Sequence, residues 1–299
     1  MNKNIKVTVL TSLYNCISFL DSYFSYLDEI DNKNEVEVLL LHNSPTAEEL
    51  AVIDRRLPDF PFVRHIVIKD REGLYETWNR GCDLAKGDYI CVWNVDDIRL
   101  PDSISNQKRA LDDNQDAMLA YGDFLYMFEY GMFTDELKVE PDFNTHKGDF
   151  LEKHYIGCFP MWRKSVIKEF GYFDEQFKLV ADLDFQMRIA YSGKLVKASG
   201  ILGYYLEGDP RKLSMNYDLQ DRERTAVYLR FGVFRYLNLA YLLSACMRYN
   251  TKGYKHKGIY HTIKIPLSYK LKKLPLLFFA FLHLPYYSAQ YMKRRIVKR

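Results

Sequence analysis

The sequence predicts an α/β protein with a mainly parallel central sheet, followed by a helical C-terminal extension. The first observation is the alternation of strand and helix patterns in units of roughly 30 residues over the first third of the chain. The second is the apolar segment YICVW at 89–93, typical of a strand buried on both faces of a sheet. The third is composition, because 48% hydrophobic residues in a chain of 299 exclude disorder and allow a sizeable core.

The first third of the chain supplies the predicted parallel strands. Apolar patterns indicate strands at 5–10, 35–41, 63–68 and 89–93. Helical spacing of apolar residues indicates three helices, at 19–30 with Ser18 as N-cap, from Thr46, and at 75–85. The connections are long enough for helical crossovers, so the strands are expected to run parallel.

Beyond residue 100 the alternation becomes less regular. Helices are predicted at 103–111, 165–170 and 183–191, and strands at 117–126 and 195–205. Residues 131–150 are predicted to be rich in loops, and two helical stretches are predicted to dominate from about 216 onward. We therefore predict a catalytic domain over 1–215 and a C-terminal region over 216–299.

Polar side chains follow each predicted parallel strand, where ligands bind in open α/β sheets. Asp96 and Asp97 come directly after the apolar fourth strand. Two adjacent carboxylates repel each other unless a cation or hydrogen-bond donors offset the charge, and oxygen ligands suit Mg²⁺ or Mn²⁺. The alternative is a solvated Asp-Asp turn that caps the next helix.

The five cysteines are scattered and form no C-x-x-C pair, so neither a disulfide framework nor a zinc site is indicated. Reduced thiols are expected. No secretory apolar segment precedes the first strand, and a cytoplasmic location is expected.

The charge is unevenly distributed. Residues 224–299 contain 16 Lys and Arg and no Asp or Glu, whereas the first 223 residues carry 26 basic against 39 acidic groups. A basic region of this kind suits an anionic partner, either membrane or nucleic acid.

Several motifs, in order along the chain, resemble those of family 2 glycosyltransferases of the GT-A fold. They are VLTSLYN at 9–15, EGLYETWNRG at 72–81 with AKGDYI at 85–90, NVDD at 94–97, YGD at 121–123, and GYFDE at 171–175 with ADLDFQMR at 181–188. The resemblance covers roughly residues 5–215. It implies a GT-A catalytic domain that transfers a sugar from a nucleotide diphosphate sugar.

The resemblance implies a donor site at the strand ends. Thr11 and Tyr14 would line the nucleoside pocket, with Tyr14 near the base. The donor contacts implied beyond these two are Asn43, Asp70, Asn79 and Asp96. Asp97, with Asp96, would bind the Mn²⁺ or Mg²⁺ ion that bridges the diphosphate. His42-Asn43 stands where the family often has Asp, so the base stays open, with UDP favoured.

The acceptor side is implied by the later motifs. Asp182 would be the general base, with helix capping as the alternative. Asp184 is assigned a secondary role near the acceptor, although capping or an i,i+4 ion pair with Arg188 is favoured on spacing. Trp162 would line the acceptor side or belong to the core, and Arg211 would contact phosphate or lie in a solvated loop.

The C-terminal region contains an apolar and aromatic run at 274–287 with basic flanks. A bilayer-spanning helix needs about 20 apolar residues, so this run of 14 predicts an interfacial segment on anionic lipid. A C-terminal helix packed on the catalytic domain is the alternative. Nucleic acid is the weaker candidate, because no nucleic-acid-binding motif accompanies the basic residues.

Together the motifs and the basic C-terminal region predict a metal-dependent glycosyltransferase, peripheral on the inner face of a membrane. That it inverts the anomeric configuration is implied by the family resemblance. Its acceptor would be a glycan or a lipid-linked hydroxyl in surface polysaccharide, capsule or lipopolysaccharide assembly. Two alternatives are a non-catalytic membrane-bound scaffold of the same fold and a nucleotidyltransferase. The turn at 11–15 lacks the glycine and basic residue that a triphosphate loop needs, which disfavours the latter.

Overall fold

The computed structural model describes residues 4–143, 156–209, 215–232 and 239–263, with short stretches at 278, 281–286, 288–289 and 293. The chain divides into two compact units. The first comprises Met1–Gly171 and Ser192–Lys212, and the second comprises Tyr172–Tyr191 and Leu213–Arg299. Residues 172–191, which sequence reasoning places in the catalytic domain, thus group with the C-terminal residues. The functional division at 215 stays a prediction.

The parallel half of the sheet in the first unit confirms the predicted strands. Its strands lie in the order β3-β2-β1-β4, all parallel. They are β1 Val7–Leu13, β2 Val36–Asn43, β3 Val63–Ile68 and β4 Tyr89–Val92. Every residue of β2 and β4 is buried, as expected for central strands.

Helices connect these parallel strands. They are α1 Ile17–Glu29, α2 Ala47–Arg56 and α3 Leu74–Leu84. The helix α1 buries its apolar stripe of Leu20, Tyr23, Phe24 and Leu27. Its N-cap is Cys16 rather than the predicted Ser18, and the Cys16 amide donates to Glu49 Oε1 at 2.7 Å.

Gly87 explains part of the AKGDYI motif. A Cβ at this position would lie 2.7 Å from the backbone nitrogen of Thr8. The Gly87 amide also donates to Thr8 Oγ1 at 2.9 Å. Only glycine allows this close approach of the turn before β4 to the β1 backbone.

The other half of the sheet is largely antiparallel. Its elements, with the helices that accompany them, are β5 Ile98–Arg99, α4 Ser103–Asp113, β6 Ala117–Met127, β7 Phe133–Lys138, β8 Met161–Arg163, α5 Ser165–Phe170 and β9 Lys194–Leu206. Strand β4 pairs antiparallel with β8, β8 with β6, and β9 with β5, whereas β6 and β9 are parallel.

Three of these strands are absent from the sequence prediction. Strand β7 lies where loop was expected, and it pairs only with β6 among the described residues. Its side chains are mostly exposed, so it lacks the apolar alternation of a half-buried strand. Strands β5 and β8 contain two and three residues, too few to show a periodicity.

The described residues of the second unit form helices and a hairpin. They are α6 Ala181–Ser192, α7 Tyr217–Phe231, α8 Leu239–Arg248, and strands β10 Gly253–His256 and β11 Ile259–Thr262. The predicted C-terminal helices are present, and the hairpin at 253–262 is an element that the sequence prediction did not include. The hairpin turn has Lys257 and Gly258 at positive φ of 48° and 79°. This is the left-handed pair that a two-residue hairpin turn requires.

The apolar run at 274–287 falls partly outside the described residues. Among its described members, Phe278, Phe281, Leu282 and Tyr286 are exposed, and Leu284 is half-buried. Within the described part of the chain, every helix is too short or too polar to cross a bilayer.

Candidate active site

Two residues predicted to contact the donor lie at or just beyond the end of β1, and one is buried whereas the other is exposed. Thr11 is fully buried, and its hydroxyl is hydrogen-bonded to the Tyr23 hydroxyl at 2.5 Å. Tyr14 lies beyond the strand with an exposed ring. Asn15, next to it, has φ of 49°, so the chain turns sharply there. Thr11 therefore fixes the strand end, and Tyr14 is the residue available to a ligand.

Arg71 joins Tyr14 and was missed by sequence reasoning. Its guanidinium carbon lies 3.8 Å from the centroid of the Tyr14 ring, a cation–π contact between the ends of β1 and β3. The stacked pair presents both an aromatic face and a positive charge, which suit a base and a phosphate. Arg71 lies within the charged run Asp70-Arg71-Glu72, where the sequence alone gives no sign of its partner.

Asn43, at the end of β2, is buried and holds the loop after β3. Its side-chain oxygen accepts from the Glu72 amide at 2.9 Å, and its amide donates to Thr77 Oγ1 at 2.8 Å. Asn79 is buried on α3, whereas Asp70 is exposed. Asn43 thus positions the loop that carries Asp70 and Arg71.

His42, where the resembling family often has Asp, is fully buried. Its Nδ1 lies 3.1 Å from His65 Nε2, and its Nε2 lies 3.4 Å from Glu49 Oε2. Burial lowers the pKa of His42 despite the opposing charge of Glu49, which favours the neutral imidazole. The two ring nitrogens of His42 thus face protein groups, Nδ1 toward His65 and Nε2 toward Glu49.

Glu49 is the anion of this cluster. It forms a capping box with Thr46 at the start of α2. Burial raises its pKa, but hydrogen bonds from the backbone N–H groups of Thr46 and Cys16 outweigh this and lower the pKa to about 2. Glu49 is therefore ionised although it is buried.

The acid pair after β4 has two different environments. Asp97 is 1% exposed, and its carboxylate accepts from the Leu206 amide at 3.2 Å and from Asn94 Nδ2 at 3.0 Å. Asp96 is half-buried. The turn thus gathers two carboxylates and the side-chain oxygen of Asn94 within four residues, a donor set that fits a hard divalent cation.

The two acids of α6 differ in the same way. Asp182 is half-buried in the first turn, and its carboxylate accepts from the Leu183 amide at 2.8 Å. Asp184 is fully buried and pairs with Arg188 Nε at 2.9 Å. The i,i+4 ion pair expected from spacing is therefore present.

Asp184 belongs to a larger ion network in the second unit. Arg230, on α7, pairs with Asp184 and lies 2.9 Å from Asp174. It also donates to the carbonyl oxygen of Gly253 at 2.7 Å. Burial and the charge of Asp184 raise the pKa of Asp174, whereas Asp184 and Asp174 raise the pKa of Arg230 against the effect of its own burial. Two carboxylates and two guanidinium groups, including Arg188, thus balance in charge.

The same network holds the hairpin. The Lys255 amide donates to Asp174 Oδ1 at 2.8 Å, and the Lys257 amide donates to Glu175 Oε2 at 2.7 Å. The ring of His256 stacks on Tyr172 at 3.8 Å. The GYFDE motif therefore binds the hairpin. The sequence did not predict this role, because Arg230 and the hairpin lie far along the chain from GYFDE at 171–175 and ADLDFQMR at 181–188.

Two further predicted residues complete the set. Trp162 is fully buried in β8, between β4 and β6. Its ring belongs to the core, which is the alternative that the sequence left open. Arg211 lies outside the described residues.

Comparison with solved structures defines the class of the fold. S. aureus TarS 1–349, solved with UDP-GlcNAc, superposes with a TM-score of 0.61 at 15% identity, over 75% of this chain and 67% of that chain. The mannosyltransferase PcManGT from Pyrobaculum calidifontis, solved with GDP-Man and Mn²⁺, superposes with a TM-score of 0.58 at 13% identity, over 96% of this chain and 73% of that one. The fold is that of GT-A glycosyltransferases, as predicted.

Sequence comparison assigns the family. The profile of glycosyl transferase family 2 matches residues 8–171, more than half of the chain. The chain belongs to this family. A Methanocaldococcus jannaschii protein described as an uncharacterized glycosyltransferase is 27% identical over 165 residues, which are 54% of this chain and 51% of that protein. An uncharacterized Sinorhizobium fredii protein is 28% identical over 130 residues, 43% of this chain and 14% of that protein. The chain therefore spans about half or less of these curated relatives.

Proposed function

We propose that the chain is a metal-dependent, inverting glycosyltransferase that moves a sugar from a nucleotide diphosphate sugar to a hydroxyl of a glycan or lipid-linked acceptor. The observation that carries the proposal is the family match over 8–171, which includes every strand end that bears Tyr14, Arg71, Asp96 and Asp97. Solved structures of the same fold contain UDP-GlcNAc or GDP-Man.

The donor would bind along the strand ends of the first unit. Tyr14 would pack against the base, and Arg71 would turn from the Tyr14 ring toward the diphosphate, where a guanidinium makes charge-assisted hydrogen bonds. Asn43 would keep the Asp70–Arg71 loop in place. UDP is favoured as the nucleotide, with GDP as the alternative because one structural relative was solved with GDP-Man.

Asp96 and Asp97 would hold Mn²⁺ or Mg²⁺. When bound there, the cation would neutralise charge that develops on the departing nucleoside diphosphate. Asp97 has its carboxylate oriented by Leu206 and Asn94, so that ligand is already fixed in position. Asp96, half-buried, is the more accessible oxygen donor.

Asp182 would act as the general base. Its carboxylate would take the proton of the acceptor hydroxyl as that oxygen attacks the anomeric carbon. One base and one displacement invert the configuration at that carbon, whereas a double displacement would need a carboxylate nucleophile as well. The buried ion pairs of Asp184 with Arg188 and Arg230 leave Asp182 as the carboxylate of this helix suited to that task.

The basic C-terminal region would hold the enzyme peripherally on the inner, anionic face of a membrane, near a lipid-linked acceptor used in surface polysaccharide assembly. Its support is the charge of 224–299 and the exposed apolar residues Phe278, Phe281 and Leu282. Flotation with anionic vesicles should be sensitive to salt and should persist after nuclease treatment. Loss of binding on nuclease treatment would favour nucleic acid instead.

Activity is tested by incubating the full chain and Mn²⁺ with a panel of sugar nucleotides and a membrane lipid extract as acceptor. The expected result is metal-dependent transfer of one sugar, with inverted anomeric configuration in the product. Binding of a nucleotide without transfer to any acceptor in the extract would contradict the proposed acceptor class. Failure to bind any nucleotide would favour a non-catalytic scaffold.

A further inference from the structure

A second cluster of potential metal ligands lies in the first unit, away from the acid pair Asp96–Asp97. Cys16 precedes α1, His42 lies in β2, and Glu49 lies in the first turn of α2. Their ligand atoms all lie within 4.8 Å of one another, and each residue is at most 2% exposed. Three separate elements thus bring a sulfur, a nitrogen and an oxygen donor to one buried point.

The spacing suits a tetrahedral ion. Metal–nitrogen and metal–oxygen bonds of about 2.0–2.1 Å place two ligands of a tetrahedral zinc ion about 3.4 Å apart. His42 Nε2 and Glu49 Oε2 are already 3.4 Å apart. Small side-chain movements would bring the Cys16 sulfur to its longer bond.

The charges suit a divalent ion as well. A thiolate and a carboxylate carry two negative charges, and the neutral imidazole carries none, so a bound divalent cation leaves the buried site neutral. Binding requires that the Cys16 thiol lose its proton, as for any thiolate ligand. In contrast, the acid pair Asp96–Asp97 offers oxygen ligands and no sulfur ligand.

His65 supplies the outer shell that metal-binding histidines usually have. Its Nε2 lies 3.1 Å from His42 Nδ1, the ring nitrogen that does not face Glu49. A hydrogen bond there fixes the imidazole orientation and leaves Nε2 as the ligand atom. Glu49 is likewise held, by the amide groups of Cys16 and Thr46 at 2.7 and 2.9 Å.

We propose that Cys16, His42 and Glu49 form a binding site for a borderline-soft divalent cation of the zinc class. Sulfur and imidazole ligands select such ions over Mg²⁺ and Mn²⁺. The bound ion joins the loop after β1, which carries Tyr14, to the start of α2. It therefore stiffens one wall of the strand-end region, and it is distinct from any ion held by Asp96 and Asp97.

The site is tested on the full chain produced in a medium with Co²⁺ in place of Zn²⁺ and purified under reducing conditions. The expected spectrum shows a thiolate-to-cobalt charge-transfer band with the strong visible bands of tetrahedral cobalt. The chain grown with zinc should contain about one zinc ion per molecule. Because these readouts do not involve sugar transfer, they stand whether or not the proposed activity is found.

Cys16→Ser removes the sulfur with little change of volume and should lower the metal content at least tenfold and abolish the charge-transfer band. Cys82→Ser, at another buried cysteine, and Asp96→Asn, at the hard-cation pair, should keep both. Wild-type chain without the charge-transfer band, or metal retained in Cys16→Ser, would overturn the proposal. If Cys16→Ser does not fold, a wild-type spectrum without the band still overturns the proposal.

Discussion

The acid pair Asp96–Asp97 of the first unit and the acid pair Asp182–Asp184 of the second unit are similar short motifs, and each is divided in the same manner. One member of each pair is buried and accepts several hydrogen bonds or ion pairs, namely Asp97 and Asp184. The other member, Asp96 or Asp182, is half-buried at the start of a turn or helix. Each carboxylate motif therefore contains one buried acid that is held by hydrogen bonds or ion pairs and one more accessible acid.

The buried members differ in their partners. Asp97 accepts from two neutral donors, the Leu206 amide and the Asn94 side chain. Burial lowers the pKa of the Arg99 guanidinium, and the negative charge of Asp97 acts in the opposite direction, with a smaller effect. Asp184 is paired with two guanidinium groups, Arg188 and Arg230. Hydrogen bonds from neutral groups orient Asp97, whereas ion pairs with guanidinium groups hold Asp184 in the scaffold. Three predictions test this division, and a fourth tests Arg71.

The largest effect is expected from Asp182→Asn. Removal of a general base typically lowers the rate about 10²- to 10⁴-fold. We expect a loss of that size in the transfer rate, with unchanged nucleotide binding and a normal unfolding midpoint. Steady-state kinetics with calorimetric titration of the nucleotide checks both parts, and full activity in Asp182→Asn would remove Asp182 from the mechanism.

Asp184→Asn should act on stability instead. Removing one partner of a buried ion pair costs about 3–5 kcal/mol. In Asp184→Asn, Arg188 loses this carboxylate partner and Arg230 keeps Asp174. Urea unfolding of the full chain measures the change. The control is Asp116→Asn at an exposed carboxylate, whose partner Lys194 lies 3.2 Å away, with an expected cost of about 0–1 kcal/mol. Equal costs for the two variants would show that the network is not a stabilising unit.

The two acids of the first unit should differ in their effect on the free energy of unfolding, measured in the same way. Asp97→Ala leaves the Leu206 amide without its acceptor, and we expect a cost of about 1–3 kcal/mol. Asp96→Ala should change the free energy of unfolding by about 0.5 kcal/mol or less. Both variants should lose the metal-dependent part of nucleotide binding. A larger stability loss in Asp96→Ala would reverse the assignment.

The smallest effect is expected at Arg71. An exposed cation–π contact contributes about 0.5–1 kcal/mol. If Arg71 shares its task between Tyr14 and the diphosphate, Arg71→Ala should weaken nucleotide binding by about two- to fivefold at low salt. Lys69→Ala, an exposed basic residue at the end of the same strand region, is the matched control. Equal affinity in wild type and Arg71→Ala would leave the guanidinium without a role in donor binding.

Much of the fold could be predicted because its signals are local. The apolar strands around 36–43 and 89–92 and the helix stripe of α1 show their periodicity directly in the sequence. The order of the motifs indicated the class of fold. Strands β5 and β8 are too short to show a period. Strands β10 and β11 depend on the turn at Lys257-Gly258, which lies in a strongly basic segment and was not recognised as a turn.

The candidate site was predicted less completely, because its contacts join distant segments. Asp184 and Arg188 are four residues apart, so their ion pair followed from helix geometry. Arg230 is 46 residues from Asp184, and Arg71 lies far from Tyr14 in the chain, so neither contact has a sequence period. The Cys16–His42–Glu49 cluster lacks any recognisable ligand spacing for the same reason.

The most direct test of the central claim is calorimetric titration of the full chain with UDP and with GDP, each in the presence of Mn²⁺ and in the presence of a chelator. The proposed function predicts saturable binding of one nucleoside diphosphate that weakens strongly when Mn²⁺ is removed. The same dependence should vanish in Asp97→Ala. If neither UDP nor GDP binds in the presence of Mn²⁺, the donor site proposed at the strand ends is contradicted.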